Sequence, residues 1–258
     1  MNRHAALRDR TMDMHDPCDA RTLDQVLSMV VHKFGNSLNS HNMTLEVLIR
    51  HYEEFEDRKK IHFLERALQE TRRQQCLLLA LKAYSGLNVG AVRPVPFRMF
   101  WQQFQPTLES RFNGAPIWFE SRQDIGDIPV DMEIQALSKA LHLLLDNAVD
   151  AAGDLEQPRI SLTASIARHG EHRAVIRVAD NGPGIPDQVM ANVFTPLFST
   201  RRDHFGLGLP LARKIAREMA GGLCLVKGEG QGITAELWLK AGQAPDTLPG
   251  TTTGEDPS

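Results

Sequence analysis

Two glycine clusters, separated by a loop that contains phenylalanine and arginine, constrain this chain most strongly: Gly182 and Gly184, then Gly206 and Gly208. The first cluster, in DNGPG, follows an apolar run over residues 174–179 that is typical of a β-strand. Asp180 therefore stands at the end of a predicted strand, with its carboxylate held by a tight turn. A carboxylate in that position can accept a hydrogen bond from an exocyclic amine.

The second cluster precedes a predicted helix over residues 210–219. Pro210 falls in the first turn, where the missing N–H of proline costs nothing. Glycines that lead into a helix N-terminus allow backbone N–H groups to approach phosphate oxygens, and the helix dipole favours the negative charge. Together, the two clusters indicate a nucleotide-binding site.

A third element lies upstream, in an amphipathic helix predicted over residues 137–152. Asn147 stands in the interior of this helix among leucines and alanines, although asparagine is a poor helix former. Its amide oxygen is a suitable ligand for Mg²⁺, which takes few protein ligands when substrate phosphates supply others.

With these motifs, the chain resembles the ATP-binding domain of sensor histidine kinases, in the superfamily shared with gyrase, Hsp90 and MutL. The resemblance covers about residues 95–239 and implies that Asn147 binds magnesium and that Asp180 recognises adenine. It also implies two glycine boxes, the first at Gly182 and Gly184 and the second at Gly206 and Gly208. An aromatic box lies between them, at Phe194 and Phe198. A closing hairpin follows, with Gly221, Gly222, Gly230 and Gly232.

Two positions of this domain depart from the family pattern. Leu143, four residues before Asn147, replaces a polar residue, and the neighbouring His142 points about 100° away around the helix. His204 replaces the first glycine of the second box. In the loop between the boxes, Arg201, Arg202 and His204 are candidates to meet a triphosphate, although a solvated basic loop explains them equally well.

The N-terminal part predicts two long helices. Apolar residues from Leu23 to Phe55 recur at steps of three and four, with one gap of seven at His41, and a second helix is predicted over residues 57–84. Such narrow seams are typical of helical bundles. Because one hairpin buries two seams poorly, we expect a homodimer with a four-helix bundle.

The string HKFGNSL, residues 32–38, resembles the phosphoacceptor box of histidine kinases. The resemblance implies that His32 is the phosphoacceptor and that Asn36 positions water for phosphatase activity. Lys33 stands where the family has an acid that takes the imidazole proton, and a lysine cannot do so at neutral pH. Ser37 stands where the family has proline. We therefore expect slow autophosphorylation, or a carboxylate supplied from elsewhere.

Composition excludes several other classes of protein. The 258 residues are 42% hydrophobic and 24% charged, and the net charge of −3 argues against a nucleic-acid binder. The sequence has no apolar run long enough for a membrane span and no signal peptide. Its three scattered cysteines fit a reducing cytoplasm.

The predicted fold class is α+β, with an N-terminal helical hairpin that forms a dimeric four-helix bundle, followed by an α/β sandwich that binds ATP. The predicted domains are a leader over residues 1–21, the hairpin over 22–86, the ATP-binding domain over 93–240 and a disordered tail over 241–258. The expected activity is autophosphorylation of His32 with ATP and Mg²⁺, followed by transfer to an Asp of a response regulator. Because no sensory module is visible, the signal would come from a separate sensor protein, from the leader or tail, or from expression level.

Two alternatives stay open. In the first, a dimeric phosphotransfer or scaffold protein with a degenerate ATP domain binds response regulators without using ATP. Lys33, Leu143 and His204 favour it, whereas the retained Asn147, Asp180 and glycines oppose it. In the second, the chain is a serine kinase or a mechanochemical ATPase of the same superfamily, which would not need the histidine-bearing helices.

Overall fold

The computed structural model describes residues 19–153, 155–167, 172–201, 204–228 and 232–242; the side chains of residues 19–27, 29, 33 and 83 also lie outside the description. Most of the predicted leader and tail, and the side chains of Leu23, Leu27 and Lys33, are therefore outside it. The chain divides into two compact units, with the boundary between Gln75 and Cys76. No helix of the described residues is long and apolar enough to cross a membrane.

The first unit is built from two long helices. Helix α1 spans Asp19–Arg50, and helix α2 spans Asp57–Ser85 and continues past the boundary between the units. Between the helices, the ring of Phe55 stacks on that of Phe63 at a centroid distance of 5.4 Å. The Oγ of Ser37 in α1 donates to Glu70 Oε2 at 3.1 Å and accepts from Gln74 Nε2 at 3.2 Å. Ser37 stands where the family pattern has proline, and here it connects α1 to α2 through these hydrogen bonds. Helix α1 continues through Ser37 without a break.

The second unit contains two sheets. Strands β1 (Arg93–Pro96) and β3 (Pro129–Met132) form an antiparallel pair. The larger sheet has the order β2-β4-β5-β7-β6; β2 pairs with β4 in parallel and the other pairs are antiparallel. Its strands are β2 (Trp118–Gln123), β4 (Arg159–Ala167), β5 (Arg173–Asp180), β6 (Gly222–Lys227) and β7 (Ile233–Lys240).

Three helices supply the other layer of this sandwich, and a short fourth helix precedes the last of them. They are α3 (Phe97–Phe112), α4 (Ile134–Ala152), the short α5 (Asp187–Met190) and α6 (Gly208–Glu218). Helix α4 begins where the Glu133 carboxylate accepts from the backbone N–H groups of Gln135 and Ala136, which have no partner within the helix. Its apolar face packs against alternate residues of the strands, so that Leu141, Leu145 and Ile176 are fully buried.

The fold class is confirmed as a helical region followed by an α/β sandwich with helices on one face of a mixed sheet. Both long helices and β5 lie within about five residues of their predicted positions. The prediction missed the small sheet of β1 and β3, because each strand has only four residues and carries proline. It also started the helix after the second glycine cluster at Pro210, whereas α6 begins at Gly208.

Candidate functional site

A cleft of about 960 Å³ opens beside the C-terminal half of α4 and the N-terminus of α6. It brings together five of the predicted site residues: Asn147, Gly184, Arg201, Gly206 and Gly208. Asp180 and Gly182 do not line the cleft itself. They adjoin it through Ala151, whose carbonyl oxygen would lie 2.8 Å from a Cβ atom added at Gly182.

Asp180 is the last residue of β5, and the strand end holds its carboxylate firmly. Its Oδ1 accepts from the backbone N–H of Gly182 at 2.8 Å and from that of Ile233 at 3.4 Å. Burial raises the pKa of Asp180, and the two backbone hydrogen bonds partly oppose this rise. Because Asp180 Oδ1 would also contact a Cβ atom at Gly182, this turn has no room for a side chain there. The turn fixes one oxygen and leaves the second for a donor.

Asn147 faces the N-terminus of α6. A Cβ atom added at Gly208 would lie 3.3 Å from Asn147 Nδ2 and 3.5 Å from its Oδ1, so glycine allows the helix end and the amide to approach closely. The Nδ2 atom is buried and has no hydrogen-bond partner among the described residues. A buried amide without a partner is costly, and such a group is a candidate to meet a ligand.

Gly206 turns the chain immediately before α6. Its φ of +68° lies in the left-handed region, and an added Cβ atom would overlap the carbonyl oxygen of Phe198. The Gly206 carbonyl oxygen accepts from the backbone N–H of Leu197 at 2.9 Å, which ties the aromatic segment to the glycine segment. Gly184 in the first cluster also has a positive φ, of 79°. Glycine is therefore required for the backbone path at both positions.

Arg201 and His204 both line the cleft, and both contact Asp150 in the last turn of α4. The Arg201 guanidinium donates through Nη1 to the Asp150 carbonyl oxygen, and His204 Nε2 lies 3.3 Å from Asp150 Oδ2. Arg202 lies outside the described residues. Arg201 is exposed and His204 is partly exposed, and each has a partner on α4.

Leu143 and His142 differ in the surfaces that they line. Leu143 lines both the cleft and a groove between α3 and α4, whereas His142 lines the groove and not the cleft. The imidazole of His142 packs 5.2 Å from the Phe104 ring, and burial, followed by the nearby Arg111, lowers its pKa. His142 thus does not occupy the space of the polar group that Leu143 replaces.

His32 and Asn36 lie one turn apart on α1, in the first unit, and both are exposed. Asn36 Nδ2 lies 3.3 Å from His32 Nδ1, a distance that allows a hydrogen bond between them. This contact leaves Nε2 as the ring nitrogen that Asn36 does not engage. His32 lies two residues from Val30 and two from Phe34, a spacing that places it off the apolar seam, and its side chain is exposed to solvent.

Residues 132–243 match the family model described as Histidine kinase-, DNA gyrase B-, and HSP90-like ATPase. Residues 132–243, called the ATPase-family domain below, are therefore similar to that family. A histidine kinase ThkA crystallised in complex with response regulator protein TrrA superposes on 85% of this chain and 62% of its own length, with a TM-score of 0.63 and 20% identity. The full-length ShkA in complex with AMPPNP covers 86% and 47%, with a TM-score of 0.55 and 21% identity. These structures share the fold of the ATPase-family domain and of the helical region.

Relatives with curated names are sensory kinases. The adaptive-response sensory kinase SasA of Crocosphaera subtropica is 25% identical over 219 residues, which are 81% of this chain and 57% of the relative. The C4-dicarboxylate transport sensor protein DctB of Rhizobium meliloti is 36% identical over 120 residues, which are 44% of this chain and 18% of the relative. The chain spans only part of the length of these relatives, and it resembles sensor histidine kinases.

Sequence reasoning missed Asp150, the residue of α4 on which the ATPase-family domain anchors Arg201 and His204. One signal was present in the sequence. Asp150 lies three residues after Asn147, and this spacing places two side chains on the same face of a helix. The contact itself depends on how the loop folds back onto α4, which no local pattern specifies.

Proposed function

We propose that this protein is a two-component histidine kinase, which transfers the γ-phosphoryl group of ATP to His32 and then to an Asp of a response regulator receiver domain. The observation that supports it best is the cleft in which the amide of Asn147 faces Gly208 at the N-terminus of α6. Asp180 is fixed beside this cleft as an acceptor for the adenine amine. The histidine-bearing helix α1 supplies the phosphoacceptor.

The glycine segments would bind the phosphates of ATP. The first N–H groups of α6 have no partners within the helix, and the positive end of the helix dipole favours anions. Gly206 and Gly208 allow the backbone to approach the phosphates, because a side chain at Gly206 would collide with Phe198 and one at Gly208 would press on Asn147. Arg201 adds a positive charge to the same wall of the cleft.

The residues present fit a magnesium ion. Asn147 lines the cleft, and its amide oxygen is the atom that could bind the metal, whereas its buried Nδ2, which has no partner among the described residues, could donate to a phosphate oxygen. Amide oxygen, phosphate oxygens and water form the ligand set that Mg²⁺ prefers. Bound there, Mg²⁺ would neutralise charge on the β- and γ-phosphates. Asn147 is the residue that would hold it.

On α1, the reacting atom would be His32 Nε2, because Asn36 lies against Nδ1. A bond forms between Nε2 and the γ-phosphorus, the bond from that phosphorus to the bridging oxygen breaks, and ADP leaves. The proton on Nε2 passes to water or to a carboxylate, because Lys33 cannot accept it at neutral pH. We therefore expect slow transfer. Asn36, an exposed amide one turn from the phosphoryl group, would position water when the protein acts as a phosphatase.

The active form would be a homodimer through the hairpin, residues 22–86, with residues 93–240 as the catalytic domain. Helix α2 carries a stripe of three exposed apolar side chains at spacings of three and four, with exposures of 50–55%: Ile61, Leu64 and Leu68. Helix α1 has further exposed apolar residues: Val31, Leu38, Met43 and Ile49. A second copy would cover these surfaces and make a four-helix bundle. Use of ATP and of a response regulator would place the protein in the cytoplasm, with its signal supplied by a partner.

One observation favours a second function, a phosphotransfer or scaffold protein that does not use ATP. Leu143 places an apolar side chain in the wall of the cleft near Asn147, where a polar contact to magnesium or phosphate is missing. In this alternative, His32 relays phosphoryl groups between response regulators. The two functions differ in one measurable property, the affinity for nucleotide.

The first test is calorimetric titration of the purified protein with a non-hydrolysable ATP analogue and Mg²⁺. Binding at micromolar affinity that Asp180→Asn abolishes supports the kinase. Absence of binding up to millimolar nucleotide contradicts it and leaves the relay or scaffold.

The second test is incorporation of label from γ-labelled ATP. We expect labelling of the wild type that is stable to alkali and labile to acid, and no labelling of His32→Ala or Asn147→Asp. His62→Ala, which removes another exposed histidine of the hairpin, serves as the matched control and should be labelled as the wild type is. Equal labelling of His32→Ala and the wild type rules out His32 as the acceptor.

A further inference from the structure

Asp150 contacts two basic side chains of the glycine loop, Arg201 and His204. The Asp150 carbonyl oxygen accepts from Arg201, and its carboxylate lies 3.3 Å from His204 Nε2. The His204 and Asp150 side chains are 37% and 35% exposed, so the pair is partly withdrawn from water. All three residues line the cleft. These two basic side chains therefore contact the end of α4 at the wall of the cleft.

The end of α4 has a physical reason to attract them. The C-terminus of a helix carries a negative partial charge, and its last carbonyl groups have no partner within the helix. The last turn of α4 contains no basic residue that could satisfy these groups. From outside the helix, Arg201 supplies a donor to one of the carbonyls, and His204 contacts the Asp150 side chain in the same turn.

A nucleotide would offer the same two side chains a stronger partner. A triphosphate carries several negative charges concentrated on oxygens, and charge-assisted hydrogen bonds to phosphate are stronger than a contact with one carbonyl or carboxylate oxygen. The Nε2 atom of the imidazole can donate to one acceptor at a time. A phosphate that binds this atom therefore displaces the Asp150 carboxylate from it.

We propose that Asp150 is an internal competitor of the phosphates: it holds the Nε2 atom of His204 while the cleft is empty, and a nucleotide must displace its carboxylate to reach this atom. Asp150 is then a positioning residue that acts through His204, and it sets how much the terminal phosphates add to affinity. The inference rests on the proposed function, because it requires that the cleft binds nucleotide. It gives His204, the residue that departs from the glycine box, a specific role in this chain.

The experiment compares the dissociation constants of adenosine, ADP and a non-hydrolysable ATP analogue for wild type, Asp150→Asn and His204→Gln, at constant ionic strength. Asp150→Asn keeps the backbone carbonyl that holds Arg201 and removes only the carboxylate charge. We expect it to bind the triphosphate roughly threefold to tenfold more tightly, as expected when an ion pair of about 1 kcal/mol no longer competes. Adenosine should bind unchanged, because it has no phosphate.

His204→Gln should weaken the triphosphate and not adenosine, and the double variant Asp150→Asn/His204→Gln should bind like His204→Gln alone. This loss of additivity is the signature of an effect that passes through His204. A purely structural role of Asp150 would change the affinity for adenosine as well, and it would lower the melting temperature.

Asp146→Asn is the matched control, because Asp146 is also an acid of α4 that lines the cleft but pairs with Arg111 instead. Equal tightening by Asp146→Asn and Asp150→Asn would reduce the effect to general electrostatics and overturn the inference, as would an unchanged triphosphate affinity in Asp150→Asn. Failure of the proposed function is a separate result, because then the wild type itself binds no nucleotide.

Discussion

The hairpin of α1 and α2 and the α/β sandwich bury their apolar side chains to very different extents. In the sandwich, helices α3, α4 and α6 cover one face of the sheet, and Phe97, Leu141 and Ile176 are fully buried. In the hairpin, Leu48 is 5% exposed, whereas Val31 is 71% and Ile49 74% exposed. The sandwich has a complete core of its own, and the hairpin does not.

This difference in burial indicates which contacts stabilise each region. A helix buries one stripe against one neighbour, so two helices leave apolar surface uncovered, whereas a sheet and a helical layer close around a common core. Exposed apolar surface of this extent marks an interaction site. We therefore expect the sandwich to fold as an independent unit and the hairpin to depend on a second chain.

Replacing a glycine by alanine should have opposite effects on stability in the two regions, and this is the largest difference that we expect. Gly206→Ala should remove measurable nucleotide binding and destabilise the sandwich by a few kcal/mol, because an alanine with positive φ costs about 1–2 kcal/mol and its Cβ would overlap the Phe198 carbonyl. Gly35→Ala in α1 is the opposite case, since no atom lies within 4 Å of the added Cβ. It should stabilise the hairpin by about 0.5–1 kcal/mol. Thermal unfolding and nucleotide titration measure both effects, and a Gly206→Ala variant that binds normally would contradict the proposed phosphate loop.

A charge in the stripe of α2 should break the hairpin association without affecting the sandwich. Leu68→Asp places an ionised group where we expect a second copy, at a cost on the order of a few kcal/mol, and should convert the dimer to a monomer. Light scattering after size-exclusion chromatography measures the mass. The control Gln69→Asp changes an exposed polar neighbour on the same helix and should stay dimeric. A wild type that is monomeric at tens of micromolar protein would refute the dimer.

The ionised side chain of Asp180 should lower the stability of the sandwich. Burial raises the pKa of Asp180 in the folded state, so its ionised form is disfavoured there, and its contribution to stability is lost as the pH rises through the folded pKa. Asp180→Asn should therefore raise the melting temperature at pH 8, and the gain should shrink toward pH 4, while nucleotide binding is lost. Melting curves at both pH values test this. A variant that is less stable than the wild type at pH 8 would show that burial does not dominate at this carboxylate.

The smallest expected effect lies in the polar cluster of the hairpin. Ser37→Ala removes the hydroxyl that connects Glu70 and Gln74, and should lower the stability of the hairpin by about 1 kcal/mol. Asn39→Ala, an exposed neighbour in α1, is the control and should change stability by less. Denaturant unfolding followed by circular dichroism measures the difference. Equal losses of stability in the two variants would mean that these hydrogen bonds stabilise the folded hairpin no more than hydrogen bonds to water do.

The sequence predicted the periodic elements and the glycine positions well, for identifiable reasons. Strand β7 alternates between buried and half-buried residues, which is the period that sequence patterns report, and α4 repeats its buried residues at steps of three and four. Gly206 was recognisable because only glycine suits its backbone conformation. By contrast, β1 and β3 are short and rich in proline, and their pairing joins residues about forty positions apart, so that no local signal existed.

By itself, the sequence determined the α+β class, the histidine on an exposed helix face, and the spacing of Asn147, Asp180 and the glycines that resembles a histidine kinase. These properties follow from side-chain period and backbone preference, which are local. Only the tertiary structure decided that Arg201 and His204 contact Asp150, that His142 lies outside the cleft, and that the amide of Asn147 faces Gly208. These contacts join segments distant in the chain. They depend on how a loop and three helices pack, and packing is a property of the whole unit rather than of any segment.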